Sequence, residues 1–205
     1  MNGDGWTGSR VADAVSLALN PSVWGGAFVV FLAFRFEPAG AGRWMAALVG
    51  FLFVAVVPVG LLFVLKVVGR LSDVEMREQD ERGTVYLACA ASYVAGAATL
   101  FSVGTTWPVW GLVGLHAPSA LVLAALNRRW KVSIHTAGLA GLMAAGLVLF
   151  GTAALPLIVV PLVGGWARWA ARAHSFAELA WGAAIGFVLT GGGMFGLRLL
   201  EGGLP

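Results

Sequence analysis

WMAALVGFLFVAVVPVGLLFVLKVV, residues 44 to 68, decides the fold. Its one charge, Lys66, stands near the end, and a helix of this length rising about 1.5 Å per residue covers a hydrocarbon core of roughly 30 Å. The rest of the chain is of the same kind. Of its 205 residues 59% are hydrophobic and 11% charged, and the mean hydropathy is +0.86, outside the range of soluble domains. Apolar stretches run through the whole length, which excludes a cleaved signal peptide followed by a soluble domain. They are continuous rather than alternating, so an all-α, polytopic transmembrane helix bundle is expected and a strand barrel is not.

Outward from this segment, residues 1 to 21 read as an amphipathic lead ended by Asn20-Pro21. A first apolar segment, about 22 to 36, spans a bilayer only by tilting or by thinning it. Beyond Val68, helices are expected at about 85 to 103, 107 to 126, 133 to 151 and 153 to 171, and from Ser175 to Arg198. That makes seven helices, or six if the first lies on the surface. No repeat or composition break divides residues 1 to 205, so a single integral membrane domain is expected. Cys89 has no disulfide partner and reads as a packing residue.

The net charge of +3 and pI near 9.6 do not point to nucleic acid. The basic residues lie between spanning stretches, where snorkelling and lipid headgroups account for them. Polar residues gather in three joints: GRLSDVEMREQDERGTVY at 69 to 86, NRRWKVSIHT at 127 to 136 and ARWAARAHSFAE at 167 to 178. With the helices paired as hairpins, all three joints emerge on one membrane face. The turns opposite, near 104 to 106 and near 151, are uncharged.

Each joint holds chemistry. His174 and Glu178 are four apart, neighbours on a helix face, so the carboxylate accepts the Nδ1 proton and leaves Nε2 as a lone pair. That is the state of an oriented nucleophile. Arg168 precedes His174 by six residues and on a continuous helix would point about 120° away, so a break between about Ala170 and His174 is expected. Ser133 and His135 cooperate at a helix start whose free N–H groups form an anion site, with Arg128, Arg129 and Lys131 just before it. Arg82 stands where the charged loop enters the third helix. A phosphoryl group needs these parts: forks for its oxygens, a nucleophile, and an acid for the leaving oxygen.

In order and spacing these residues resemble the type 2 phosphatidic acid phosphatase superfamily, which includes bacterial lipid phosphatases, glucose-6-phosphatases and vanadium haloperoxidases. Its third motif, S-R-x(5)-H-x(3)-D, is matched by Ala167-Arg168, His174 and Glu178 with Ala for Ser and Glu for Asp. Its second, P-S-G-H, keeps the serine and histidine in Val132-Ser133-Ile134-His135, and its first, K-x(6)-R-P, keeps only Arg82, with Glu75 in the place of the lysine. The resemblance covers residues 66 to 198 and implies a phosphatase-like core there. It implies that His174 attacks phosphorus to form a phosphohistidine and that Glu178 orients it. His135 then protonates the leaving alkoxide and activates water, while Arg82, Arg168 and Ser133 hold phosphate oxygens. Arg77 and Lys131 are the candidates for the missing lysine's place. The resemblance implies no metal and no other cofactor, and among the acids of the 69 to 86 joint, Asp73 and Glu75 included, no oxygen-ligand pattern stands out.

The activity expected is a metal-independent phosphatase acting on a lipid phosphate or diphosphate: a polyprenyl phosphate or diphosphate, phosphatidic acid, or phosphatidylglycerophosphate. The alternatives are a lipid phosphotransferase and a decayed site that binds lipid phosphate or scaffolds a partner. His116 reads as a packing residue, and the glycines of LAGLMAAG and WGAAIG as points of close helix contact. Of the 13 lysines and arginines, only Arg35, Arg43 and Arg198 fall on the face away from the motifs. The positive-inside rule then turns the motif face to the cytoplasm of a bacterial or archaeal cell.

Overall fold

The computed structural model describes residues 5 to 72 and 82 to 203, and among these all regular structure is helical. In chain order it comprises α1 (Gly5–Ala18), α2 (Pro21–Phe36), α3 (Ala41–Phe51), a π turn (Leu52–Val56) and α4 (Val57–Val67). There follow α5 (Arg82–Ser102), α6 (Trp107–Leu126), α7 (Ile134–Phe150), a 3₁₀ segment (Gly151–Ile158), α8 (Val159–Ala170) and α9 (Phe176–Leu200). Six stretches are long and apolar enough to cross a membrane, so the chain is an integral membrane protein built as an all-α bundle.

The fifth of these stretches, Ile134–Ala170, is not a single rod. Gly151 takes a φ of +60° and reverses the chain. The return leg packs along α7, with Gly165 beside Thr136, Gly164 beside Leu139, and Gly146 beside Ala154 and Leu157. A straight helix would hold residues 136 and 165 about 44 Å apart. The described residues thus traverse the bundle seven times, with α1 leading into the first pass. The helix expected from about 153 is corrected at its start: residues Gly151–Ile158 are 3₁₀, and α-helix begins at Val159. Pro156 and Pro161 lack the N–H groups that would extend α-helical bonding back toward the turn.

Local chemistry explains the other irregularities. Asn20 ends α1 and also starts α2, its Oδ1 accepting from the Ser22 N–H at 2.9 Å with Pro21 at the first helical position. In the second pass the Val57 N–H bonds the Leu52 carbonyl, and Pro58 has no N–H to offer Phe53. The orphaned Phe53 carbonyl is satisfied across the bundle by Ser92 Oγ of α5 at 2.9 Å, so the π turn is bound into the packing.

The far end of the bundle is tied by Glu37. Its Oε1 accepts from both the N–H and the hydroxyl of Thr106, each at 2.7 Å, while its backbone carbonyl accepts from Arg43. Trp107 Nε1 donates to the Gly203 carbonyl there. His116 lies within α6 with Nδ1 2.7 Å from the Leu112 carbonyl and its ring against Tyr93, a packed position. Cys89 is likewise buried in α5. The closest helix pair is α7 with α9: a side chain at Gly182 would meet the Ser133 carbonyl, and one at Gly186 the Ala137 carbonyl. Small residues thus bring two backbones together directly beneath the motif face.

Candidate functional site

Hydrogen bonds join the three polar joints at one end of the bundle. Arg82, the first residue of α5, reaches across to the Val132 carbonyl with Nη1 at 3.2 Å. The Ser133 N–H donates to the Glu178 carbonyl at 3.2 Å, and Thr136 Oγ1 donates to the Leu179 carbonyl at 2.9 Å. The start of α7 is thereby fastened to the first turn of α9 and to the start of α5. Ser133 is the N-cap of α7, its Oγ accepting from the Thr136 N–H at 3.4 Å.

The expected break between Arg168 and His174 is a defined turn. The Arg172 N–H bonds the Trp169 carbonyl and the Ala173 N–H bonds the Arg168 carbonyl, the paired bonds of a Schellman ending. The left-handed residue such a turn requires is Arg172, at φ 54°, where glycine is the usual occupant. The turn brings His174 back over the end of α8, and Ser175 caps α9 immediately after.

Around this turn His174 Nδ1 lies 3.0 Å from Glu178 Oε2. A carboxylate only accepts, so Nδ1 carries the proton and Nε2 keeps the lone pair. The same Oε2 accepts from the Ser175 N–H at 3.1 Å, and Ser175 Oγ accepts from the Glu178 N–H, completing a capping box. The S-x-x-E pattern at Ser175–Glu178 is visible in the sequence; its dual use, as helix cap and as histidine support, is not.

Arg82 and Arg168 are the largest fully buried side chains among the described residues, at 2% and 1% exposed. Their charges, with that of Lys131, act on His174. Burial first, then Arg168, Arg82 and Lys131, push its imidazole down from 6.5 to about 3. His135 is buried within electrostatic reach of Arg168, His174 and Arg82, beside the backbone of Ser16. Its Nδ1 has no hydrogen-bond partner among the described residues.

The expected residues Arg82, Lys131, Ser133, His135, Arg168, His174 and Glu178 therefore gather at one face. Arg77 lies outside the described residues, as does Glu75. One participant missed in the sequence is Ser16 of α1, whose Oγ accepts from Arg168 Nη1 at 3.1 Å. No short-range pattern marks it, since 152 positions separate the partners. A cleft of about 770 Å³ opens beside Lys131 and Glu178, walled by Trp130, Trp181, Ile185 and Leu126 with Arg129 at its edge. Comparison of the chain with protein-family models, with curated proteins and with solved structures finds no match in any of the three.

Proposed function

We propose that this protein is a membrane phosphatase that hydrolyses a lipid phosphate or diphosphate through a phosphohistidine at His174, with no metal ion required. The observation that carries this reading is the neutral, Glu178-oriented imidazole of His174 set among Arg168, Arg82 and Lys131. A nitrogen nucleophile must keep its lone pair, while the phosphate oxygens around the attacked phosphorus need positive charge. Both requirements are served at one point.

In the first step Nε2 of His174 bonds to phosphorus as the bond to the leaving oxygen breaks, and His135 gives that oxygen its proton. Arg82, Arg168, Lys131 and the Ser133 helix start hold the non-bridging oxygens. In the second step water adds its oxygen to phosphorus and its proton to His135, the P–N bond breaks, and phosphate leaves with His174 restored. The apolar, tryptophan-walled cleft beside Lys131 and Glu178 suits a lipid chain whose headgroup lies at the cations.

The test is phosphate release by purified protein from polyprenyl phosphates and diphosphates, phosphatidic acid and phosphatidylglycerophosphate, with and without EDTA, beside His174→Ala. Release indifferent to EDTA and lost in the variant is expected. Transfer to an added alcohol with no free phosphate would make the protein a phosphotransferase, and silence across the panel would remove catalysis from the reading. The surplus of lysine and arginine at this face favours a cytoplasmic orientation in a bacterial or archaeal cell membrane. Arg129→Cys, on the exposed part of that face, should then react with an impermeant thiol reagent only in inverted vesicles.

A further inference from the structure

Resting on the reading of this face as a phosphate site, we infer that α1 delivers one more ligand to the bound anion, the hydroxyl of Ser16. Ser16, in the amphipathic N-terminal lead, is 1% exposed. The face of α1 that carries it is packed on α8: Ala12 is fully buried, and Leu19, just past the helix end, lies near Gly164. Ser16 Oγ accepts from Arg168 Nη1 at 3.1 Å, and the Ser16 backbone lies beside the His135 imidazole. One residue of α1 thus borders both a fork that holds phosphate oxygens and the acid that serves the leaving group.

The proton of the Ser16 hydroxyl identifies its role. An oxygen that accepts from Arg168 still has its own hydrogen to donate. Other hydroxyls within helices find a carbonyl for that hydrogen, on their own helix for Thr99, Ser102 and Ser119 and on a neighbouring one for Ser92 and Thr136. Ser16 has no such acceptor among the described residues. A buried donor without an acceptor is destabilising, and a phosphate oxygen held by Arg168 relieves it. The bound oxygen then receives a charge-assisted bond from the guanidinium and a hydroxyl bond from Ser16.

The experiment measures the affinity of purified, full-length protein for inorganic phosphate and for orthovanadate, together with KM for the lipid substrate. The proteins compared are the wild type, Ser16→Ala, Ser16→Cys and Ser16→Thr. Removing the hydroxyl in the first two variants should weaken phosphate binding and raise KM by about tenfold. Both also remove the acceptor of Arg168 Nη1, so the thermal midpoint should fall by about 2–4 °C, and Ser16→Thr should restore the midpoint and both affinities. Wild-type phosphate affinity in Ser16→Ala and Ser16→Cys, or no phosphate binding by the wild type, would overturn the assignment. Phosphate binding without hydrolysis would sink the phosphatase reading, yet a tenfold weakening in Ser16→Ala would still uphold Ser16 as a ligand.

Discussion

Glu178 Oε2 lies 3.0 Å from His174 Nδ1 and 3.1 Å from the Ser175 backbone nitrogen, so one carboxylate oxygen caps α9 and sets the tautomer of the adjacent imidazole. The geometry of the histidine is therefore referred to a capped helix end. The i, i+4 relation supplies proximity, and the capping box fixes the rotamer that makes it useful.

This double use separates two substitutions. Glutamine suits the third helical position of a capping box, so Glu178→Gln should leave the thermal midpoint nearly unchanged. On the proposed phosphatase reading it should lower turnover by about a hundredfold or more with little change in KM, because the carboxylate would no longer support the imidazolium character of a phosphorylated ring. Ser175→Ala should do the reverse, destabilising the fold by about 1 kcal/mol with a smaller effect on turnover. Steady-state kinetics and thermal unfolding of both variants check this.

The imidazole of His174 is pushed down to about 3 by burial and by Arg168, Arg82 and Lys131, which gives a signed pH dependence. The unfolded chain takes up this proton near 6.5 and the folded one only near 3. The group's contribution to stability is thus complete above about 6.5 and is lost as the pH falls from there toward 3. Nuclear magnetic resonance titration of the ring should show it neutral across the range where free histidine protonates. Arg168→Gln should move the midpoint upward, as should bound phosphate. A midpoint near 6.5 in the anion-free wild type would contradict the cationic setting.

Arg172 holds a left-handed conformation at φ 54° and its side chain is exposed. The strain is therefore removable without loss of packing. Arg172→Gly should stabilise the protein by about 0.5–1 kcal/mol, raising the midpoint of thermal unfolding and leaving KM and turnover near wild type. A lower midpoint would argue against the turn that brings His174 over the end of α8.

Gly182 and Gly192 lie on the same helix and differ in what a methyl group would meet. At Gly182 it would strike the Ser133 carbonyl, and at Gly192 nothing stands within 4 Å. Gly182→Ala should push α9 off the start of α7, destabilising by roughly 1–3 kcal/mol and lowering activity through displacement of Ser133 and Glu178. Gly192→Ala should be neutral or stabilising by up to about 1 kcal/mol. Comparing the two unfolding midpoints, with phosphate affinity measured alongside, isolates the α7–α9 contact.

Much of the site is written locally. Ser133 as a helix cap, His174 and Glu178 one turn apart, and the break after Ala170 are relations within a few residues, which hydrogen bonding and helical spacing determine. The 3₁₀ start of the return leg was not legible in this way, because proline signals a disturbance without saying which helical form absorbs it. Nor was Ser92 as the partner of the Phe53 carbonyl. That pairing needs both the π turn and the position of α5 beside it.

The amino-acid sequence alone settled that the chain lives in a bilayer, where its apolar passes lie and which joints between them are polar, because hydrophobicity and backbone satisfaction act segment by segment. Only the folded bundle decided that the return leg after Gly151 starts as a 3₁₀ segment, that Arg82 is anchored on Val132, and that Ser16 meets Arg168. Those contacts depend on how helices with similar apolar surfaces choose their neighbours. In a membrane that choice is made by close packing of small residues and by buried hydrogen bonds rather than by hydrophobicity, so no single segment can announce it.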